Sequence, residues 1–314
     1  MRFNAYQKTA ITTVIATLIL IFIGGLVRAA GAGLGCPDWP KCFGLWIPPT
    51  SLADLPAEFD PSQFNVLKTW IEYGNRLIGV VIGLLIIATM LLSLKYRKTE
   101  PKVFWASLVA FVLVLFQGWL GGQVVETGLS EWLITVHMML AFLIVNILLF
   151  AAYKSNEYRI QISLSEVTRK QLFQIGFVLL VLSLIQVVIG TQVREGVDLV
   201  KETLTPPPRE TWLDGIGTIF QIHRVFSWFV VVIAGVLYSQ ARSAGITGFT
   251  KKVLNGIAIL LIIQIAAGIA LKHLGMPAVM QVTHLTSVAV LICAEFLFLL
   301  ILKMKPDDEL KAAL

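Results

Sequence analysis

The sequence predicts an all-α integral membrane protein with eight transmembrane helices. Hydrophobic residues make up 57% of the 314 residues, charged residues make up only 14%, and the mean hydropathy is +0.81. A soluble protein carries about 25% charged residues, so this chain has too few charges to cover a surface in water. The same composition excludes a disordered chain, a coiled coil and a collagen.

Eight apolar stretches are long enough to cross a bilayer, whose hydrocarbon core of about 30 Å requires about 20 residues of helix. In chain order the predicted spans are 9–27, 68–94, 103–125, 132–153, 171–193, 217–241, 253–271 and 280–302. The segments between them are too short for a separate domain of ordinary size. We therefore interpret the whole chain as a bundle of membrane helices.

The distribution of Lys and Arg predicts the orientation in the membrane. With the N-terminus in the cytoplasm, the inside segments carry more than twice as many basic residues as the outside segments, as the positive-inside rule requires. We expect a multi-pass protein of the cell membrane with both termini cytoplasmic. The net charge of +6 does not indicate nucleic-acid binding, because the basic residues do not cluster on a soluble face.

The two halves of the chain repeat each other. Besides the similar ends of spans one and five, the matches in order are Asn75-Arg76 with His223-Arg224, Gln117 and Gly121 with Gln264 and Gly268, and His137 with His284. Each half holds four spans, an even number, so both halves have the same orientation. The sequence therefore predicts two tandem four-helix bundles, residues 1–160 and 161–314, related by a pseudo-two-fold axis along the membrane normal.

Two histidines of the second half are predicted to lie at the same depth in the membrane. His223 and His284 lie near the outer ends of two parallel spans, and two imidazoles placed in this way can bind one haem iron from opposite faces. Two hydrogen-bonded core histidines are the simpler alternative. A catalytic metal is another, but no Cys or carboxylate completes a zinc ligand set there. We predict a bis-histidine haem in the second half, toward the outer face.

The first half has the same frame with one ligand missing. His137 matches His284, but Asn75 stands where His223 would require a histidine. Because an amide is a poor iron ligand, a haem held by His137 would keep one open face, as oxygen chemistry requires. Glu72 lies on the same helix face as Asn75, and a carboxylate in a membrane is a functional candidate. Solvation at the interface or a pair with an arginine is the alternative.

Two arginines and two cysteines complete the candidate residues. Arg76 and Arg224 each follow a ligand position directly, so they can bind haem propionates through paired hydrogen bonds or form salt bridges. Cys36 and Cys42 lie in the first outside segment, where a disulfide can persist, and we predict that they form one. Two free thiols, or a metal pair without further ligands, are the alternatives. Glu295 lies deep in the last span, and the sequence indicates no partner for it.

These motifs resemble those of the haem A synthase family over essentially the whole chain. The specific parts are the outer-loop sequence Gly-Leu-Gly-Cys36-Pro-Asp-Trp-Pro-Lys-Cys42, the element Glu72-Tyr-Gly-Asn-Arg76 and the three histidines. The resemblance implies an oxidoreductase that converts a ring methyl of haem O to a formyl group, giving haem A for terminal oxidases. It also implies two successive hydroxylations and loss of water, a resident haem b in the C-terminal half and a substrate site in the N-terminal half.

Residue by residue, the resemblance implies that His223 and His284 hold haem b and that His137 holds the substrate haem O. Glu72 matches the essential acidic residue of the family, and the two loop cysteines match its cysteine pair. Asn75 departs from the family pattern, because the better-known members have histidine there. We expect Asn75 to leave one face of the substrate iron free, or to hydrogen-bond a water or peroxide on that face.

Two other classes of function stay open at this point. One is a quinol-linked dihaem electron-transfer protein, although a pure electron carrier would need bis-histidine ligation in both halves. The other is a transporter, although the repeated charges lie near the outer face rather than at the midplane. The expected partners are haem O, haem A and the lipid bilayer, with haem O synthase, oxidase assembly factors and a second copy of the chain as further candidates.

Overall fold

The computed structural model describes residues 3–157, 164–201, 203, 205 and 207–303. Within these residues there are nine helices, of which eight are long and apolar enough to cross a membrane, as predicted. The helices are α1 (Ala5–Ala29), α2 (Val66–Ser93), α3 (Pro101–Glu126), α4 (Glu131–Lys154), α5 (Glu166–Lys201), α6 (Trp212–Gly215), α7 (Thr218–Ser243), α8 (Gly248–His273) and α9 (Ala278–Leu302). The predicted boundary at 160 and 161 and both chain ends lie outside the described residues.

Local sequence explains where the helices begin and end. The Asn4 side chain accepts a hydrogen bond from the Gln7 backbone N–H at 3.0 Å, and the Gln7 side chain accepts one from the Asn4 N–H at 3.0 Å. This capping box satisfies donors that the first turn of α1 leaves unpaired. Past the other end of α1, Gly31 has a φ of +63°, a left-handed conformation that glycine adopts without a steric penalty.

The chain divides into two compact units, Met1–Ser155 and Asn156–Leu314. In the first unit, α1 contacts α2, α2 contacts α3, α3 contacts α4, and α4 returns to α1. In the second unit, α5, α7, α8 and α9 contact one another in the same cyclic order. Corresponding helices therefore have corresponding neighbours inside each unit.

Buried hydroxyl groups join helices inside the first unit. The Tyr6 hydroxyl and Ser107 Oγ lie 2.9 Å apart and link α1 to α3, and the hydroxyls of Thr13 and Thr89 lie 2.9 Å apart and link α1 to α2. All four side chains are buried. Such bonds between membrane helices contribute about 0.6 kcal/mol each, and they fix how the helices are aligned along their axes.

Helix α5 is longer than the sequence predicts. Hydropathy places the span at 171–193, whereas the helix runs over Glu166–Lys201. In the extra turns, Asp198 pairs with Arg194 at 3.1 Å and with Lys201 at 2.9 Å. These spacings of four and three residues stabilise a helix whether or not it lies in the membrane, so charged pairs extend α5 beyond its apolar part.

Candidate functional site

The loop between α1 and α2 contains the predicted disulfide. Cys36 and Cys42 are bonded, with their Cα atoms 4.7 Å apart. Both are buried together with Phe43, whose ring meets those of Phe59 and Phe64 at centroid distances of 5.3 and 5.4 Å. The loop therefore has a small apolar core of its own, centred on the disulfide.

Asp38 fixes the turn inside this loop. Its Oδ1 accepts a hydrogen bond from the Phe43 N–H at 2.6 Å, and its Oδ2 accepts one from the Gly44 N–H at 2.9 Å. The φ angles of these two residues are +53° and +72°. Cys42 and Leu45 also exchange backbone hydrogen bonds of 2.9 and 3.2 Å. The carboxylate therefore holds the strained turn that brings the second cysteine into place.

Glu72 and Arg76 hold the loop on α2. The Glu72 side chain is buried; its Oε2 accepts from the Cys36 N–H at 2.8 Å, and its Oε1 accepts from Nε and Nη2 of Arg76, the former at 3.1 Å. The guanidinium Nη1 donates to the carbonyls of Asp38 and Lys41, both at 2.8 Å, and Nη2 donates to that of Cys36 at 3.3 Å. Every N–H of this guanidinium therefore has an acceptor.

This arrangement bears on the predicted roles of both arginines. The pairing of Glu72 with an arginine, one alternative from the sequence, is present, and it commits the donors of Arg76 to the protein. The geometry thus gives no support to a propionate contact of Arg76. Arg224 differs, because it is exposed and its side chain has no hydrogen bond or ion pair within the described residues. Its donors remain available to an anionic group.

Two glycines allow the loop to approach the helices closely. A Cβ at Gly35 would lie 2.4 Å from the Lys68 carbonyl oxygen in α2, and a Cβ at Gly122 in α3 would lie 2.8 Å from the Trp39 ring. The Thr69 hydroxyl donates to the Gly35 carbonyl at 2.8 Å. The loop backbone therefore touches the α2 backbone directly, which a larger residue at position 35 would prevent.

The three histidines predicted as iron ligands have a common environment. A glutamine on a neighbouring helix donates a hydrogen bond to the backbone carbonyl of each histidine. These pairs are Gln117 with His137 at 3.0 Å, Gln186 with His223 at 3.0 Å and Gln264 with His284 at 2.7 Å. A glycine also lies against each imidazole, where a Cβ would be 3.2–3.8 Å from Cε1. These glycines are Gly121, Gly190 and Gly268, respectively.

His223 and His284 lie together in the second unit, as the repeat predicts. Their ring centroids are 6.5 Å apart and the ring planes are inclined by 64°. An imidazole nitrogen lies about 2 Å from a coordinated first-row metal, so two imidazoles on opposite sides of one iron have centroids roughly 6 Å apart. Nδ1 of His284 is also buried without a hydrogen-bond partner among the described residues. The pair therefore fits the axial ligands of one haem.

The first unit keeps one such histidine. Nδ1 of His137 and Oδ1 of Asn75 are both buried and have no hydrogen-bond partner in the part of the chain that the structure describes. Most buried polar atoms in native proteins are paired, so both fit a site that a bound group completes. Gly24, the repeat counterpart of Gly190, has no atom within 4 Å of a Cβ built on it. The glycine is thus retained in the first unit, without the ring contact that Gly190 makes in the second.

The sequence did not reveal several of these contacts. Gln117 and Gln264 were visible as a repeated pair without an assigned role, but Gln186 has no counterpart, since the offset that aligns Gly24 with Gly190 aligns it with Leu20. A search for an unmatched polar residue one helical turn from a repeated glycine would have found it.

Glu295, which had no partner from the sequence, has one in the structure. It is buried, and its Oε1 accepts a hydrogen bond from the Ser183 hydroxyl at 2.9 Å, while Oε2 is unpaired within the described residues. Those residues contain no group of three or more His, Cys, Asp or Glu side chains placed to hold a metal ion.

Comparison with known proteins gives consistent matches. The COX15-CtaA family, described as cytochrome oxidase assembly protein, matches residues 7–296. A haem A synthase of Shewanella oneidensis is 26% identical over 309 residues, covering 89% of this chain and 91% of that protein. Haem A synthases of Bacillus cereus and Bacillus anthracis are 27% and 30% identical over 171 and 139 residues, covering 54% and 44% of this chain. These two matches span 49% and 38% of the Bacillus proteins.

The contact at Gly35 predicts a specific sensitivity of the loop. Gly35→Ala places a methyl group against the Lys68 carbonyl, so we expect a loss of about 1–3 kcal/mol of stability, typical of overpacking. The measurement is the melting temperature in detergent. Gly83→Ala on α2 is the matched control, because nothing lies within 4 Å of its Cβ position. Equal melting temperatures for the two variants would contradict the proposed close contact.

Proposed function

The chain belongs to the COX15-CtaA family of cytochrome oxidase assembly proteins, and from that premise we propose that it is a haem A synthase with haem O as substrate and haem A as product. The similarity to a haem A synthase over nearly the whole chain supports this proposal. The observation that carries it is the His223 and His284 pair, whose separation fits two ligands of one haem iron.

We propose that the second unit holds a resident haem b. His223 and His284 would hold its iron through their ring nitrogens, and Gly190 and Gly268 leave room for the imidazole rings. Arg224 follows the first ligand and keeps its guanidinium donors available, so it would bind a propionate. An iron with both axial positions filled by histidine exchanges electrons and has no free position for a substrate.

The substrate haem O would bind in the first unit through His137. Haem iron supplies the one-electron and oxygen chemistry that an unactivated methyl group requires. In the proposed reaction a hydroxyl group replaces a methyl hydrogen twice, giving an alcohol and then a hydrated aldehyde, which releases water to leave the formyl group. Each replacement is a two-electron oxidation, so an oxidant from outside the chain accepts four electrons in all. Asn75 occupies the repeat position of His223 and, as an amide, is too weak a ligand for iron, so one face would stay free.

Glu72 has two proposed tasks. Its contacts with Arg76 and the Cys36 N–H support an anchoring role, which fixes the disulfide loop on the helix that carries Asn75. We propose that the same carboxylate also serves the reaction, as the resemblance implies. It would balance positive charge that develops as the methyl is oxidised, or accept the proton that is lost.

The location and partners follow from the same proposal. The eight apolar helices make this a multi-pass membrane protein, and we propose the cell membrane, cytoplasmic termini and haem sites toward the outer face. Contacts with haem O synthase, with oxidase assembly factors or with a second copy remain predictions. A dihaem electron carrier is less well supported, because its first site would need a second histidine in place of Asn75.

The proposed haem b ligands can be tested separately. His223→Ala and His284→Ala each remove one axial nitrogen, so we expect the purified protein to lose its low-spin haem absorption spectrum. His273→Ala is the control, because this histidine is exposed at the end of α8. If both ligand variants retain the unaltered low-spin spectrum, the assignment is wrong.

Substitutions of Glu72 and Arg76 separate chemistry from anchoring. Glu72→Gln keeps the side-chain shape and an acceptor for the Cys36 N–H, so we expect the haem b spectrum to persist while haem O or the alcohol accumulates. Arg76→Gln loosens the loop but leaves the carboxylate, so we expect a lower melting temperature with some haem A still formed. Extraction and mass analysis of the bound haems measures both. Normal haem A formation by Glu72→Gln would exclude a catalytic role.

The free iron face predicts the effect of restoring the missing ligand. Asn75→His restores a histidine at the repeat position of His223. A Cβ at Gly24, the repeat counterpart of the Gly190 that lies against the His223 ring, meets no atom within 4 Å. We expect the haem bound in the first unit to become six-coordinate and low-spin, and haem A formation to slow. An increase in haem A formation would show that an open face is not required.

A further inference from the structure

Gln117, Gln186 and Gln264 each donate a hydrogen bond to the backbone carbonyl of a histidine that we propose as a haem ligand. In an α-helix that carbonyl already accepts a hydrogen bond from the N–H four residues later, so the helix does not need the glutamine. A carbonyl oxygen has a second lone pair, and the glutamine uses it to tie the ligand residue to a neighbouring helix. Each of these bonds lies at the depth of the imidazole, and Gln264 Nε2 also donates to the Ser287 hydroxyl on the same helix at 2.8 Å.

The repeat has a fourth equivalent position, on α1 and α2, where both the glutamine and the histidine are replaced. The first unit retains Gly24 where the second has Gly190, and α1 contacts α2 as α5 contacts α7. At this position Leu20 replaces the glutamine and Asn75 replaces the histidine. The helix contact is therefore formed without the glutamine. The glutamine is absent where the histidine is absent, so it accompanies the ligand rather than the packing.

Gln186 differs from the other two because it also reaches the imidazole. Its Nε2 lies 3.2 Å from Nδ1 and 3.4 Å from Nε2 of His223, and its Oε1 is buried with no partner in the described part of the chain. A metal-bound imidazole carries a proton on its other nitrogen, and an acceptor for that proton makes the imidazole a stronger donor to the metal. Rotation of the amide about its terminal bond presents Oε1 to this proton. The bond from Nε2 to the His223 carbonyl is then exchanged for one from the imidazole N–H to Oε1, so Gln186 holds His223 in either orientation.

We propose that Gln117, Gln186 and Gln264 are positioning residues for the haem ligands, and that Gln186 also lowers the reduction potential of the haem held by His223 and His284. This inference rests on the proposed function, since it requires haem at the histidines. It assigns the three glutamines no contact with the reacting methyl group.

The reduction potential of the resident haem tests the role of Gln186. Gln186→Leu removes the acceptor, so we expect the potential to shift to a more positive value in a redox titration of the purified protein. Gln186→Glu supplies a stronger acceptor, so we expect the opposite shift. Gln174→Leu is the control, because this exposed glutamine lies on the same helix, away from the histidines. A change in general packing would not give shifts of opposite sign.

For Gln117 and Gln264, we expect each substitution to affect only the haem of its own unit. Gln264→Leu should alter the electron paramagnetic resonance signal of the resident low-spin haem and leave haem O binding unchanged. Gln117→Leu should leave that signal unchanged and weaken haem O binding by roughly tenfold, the lower end for outer-shell ligand contacts. A spectroscopic titration with haem O measures the binding.

The outcomes distinguish this inference from the proposed function. Absence of a haem spectrum that depends on His223 and His284 would overturn both. If that spectrum is present but the Gln186 variants have the potential of Gln174→Leu, the tuning role is wrong. If both Gln117→Leu and Gln264→Leu match the unaltered protein, the positioning role is wrong. If Gln186→Leu does not retain haem, the reduction potential of Gln186→Glu tests the tuning role. A more negative potential than that of Gln174→Leu supports it, and an equal or more positive potential contradicts it.

Discussion

A bilayer offers no water to pair with buried polar groups, so each such group must find its partner inside the protein. Three threonines of the first unit follow this rule: Thr13, Thr17 and Thr89 each donate to a backbone carbonyl four residues earlier at 2.8 Å. More than half of the buried side-chain atoms that lack a partner within the described residues belong to the histidine environments: Asn75, Gln117, His137, Gln186 and His284. An unpaired buried group costs about 1–3 kcal/mol. Under the proposed function, a haem bound in each unit would complete these two environments.

The same constraint governs the charged pair that holds the outer loop. A buried carboxylate or guanidinium alone would be strongly destabilising, but Glu72 and Arg76 neutralise each other and satisfy their remaining hydrogen-bonding groups with loop backbone. Removal of either residue would leave the other as an uncompensated charge. The pair lies within one helical turn on α2, and Asn75 lies between its members. The residues that hold the loop and the residue at the candidate ligand position therefore belong to the same turn of α2.

The sequence predicted well what depends on composition and repetition. Hydropathy identifies spans because the bilayer selects on apolar length alone, and the repeat placed His223 and His284 at one depth before any distance was known. Contacts through backbone carbonyls were not predictable, because they leave no pattern in residue type. Arg76 illustrates this: a propionate ligand and a loop anchor require the same side chain, and only the positions of the loop carbonyls decide. Hydropathy also did not predict the extra turns of α5, because charged pairs rather than apolar length stabilise them.

Around the repeated histidine positions, the two units differ at a few residues. Three residues of the second unit have different counterparts in the first: His223 corresponds to Asn75, Gln186 to Leu20 and Phe220 to Glu72. Gly190 corresponds to another glycine, Gly24. Glu295 does not supply a second-unit equivalent of Glu72. It lies 11 residues beyond His284 on α9, a distance of roughly 16 Å along a helix. An acidic side chain thus accompanies the ligand position in the unit that lacks a histidine, and an apolar ring takes its place in the unit that has both. A filled coordination shell suits electron exchange, and a free face beside a carboxylate suits oxidation of a substrate. Under the proposed function, the substitutions at these positions would give the first unit a chemistry different from that of the second.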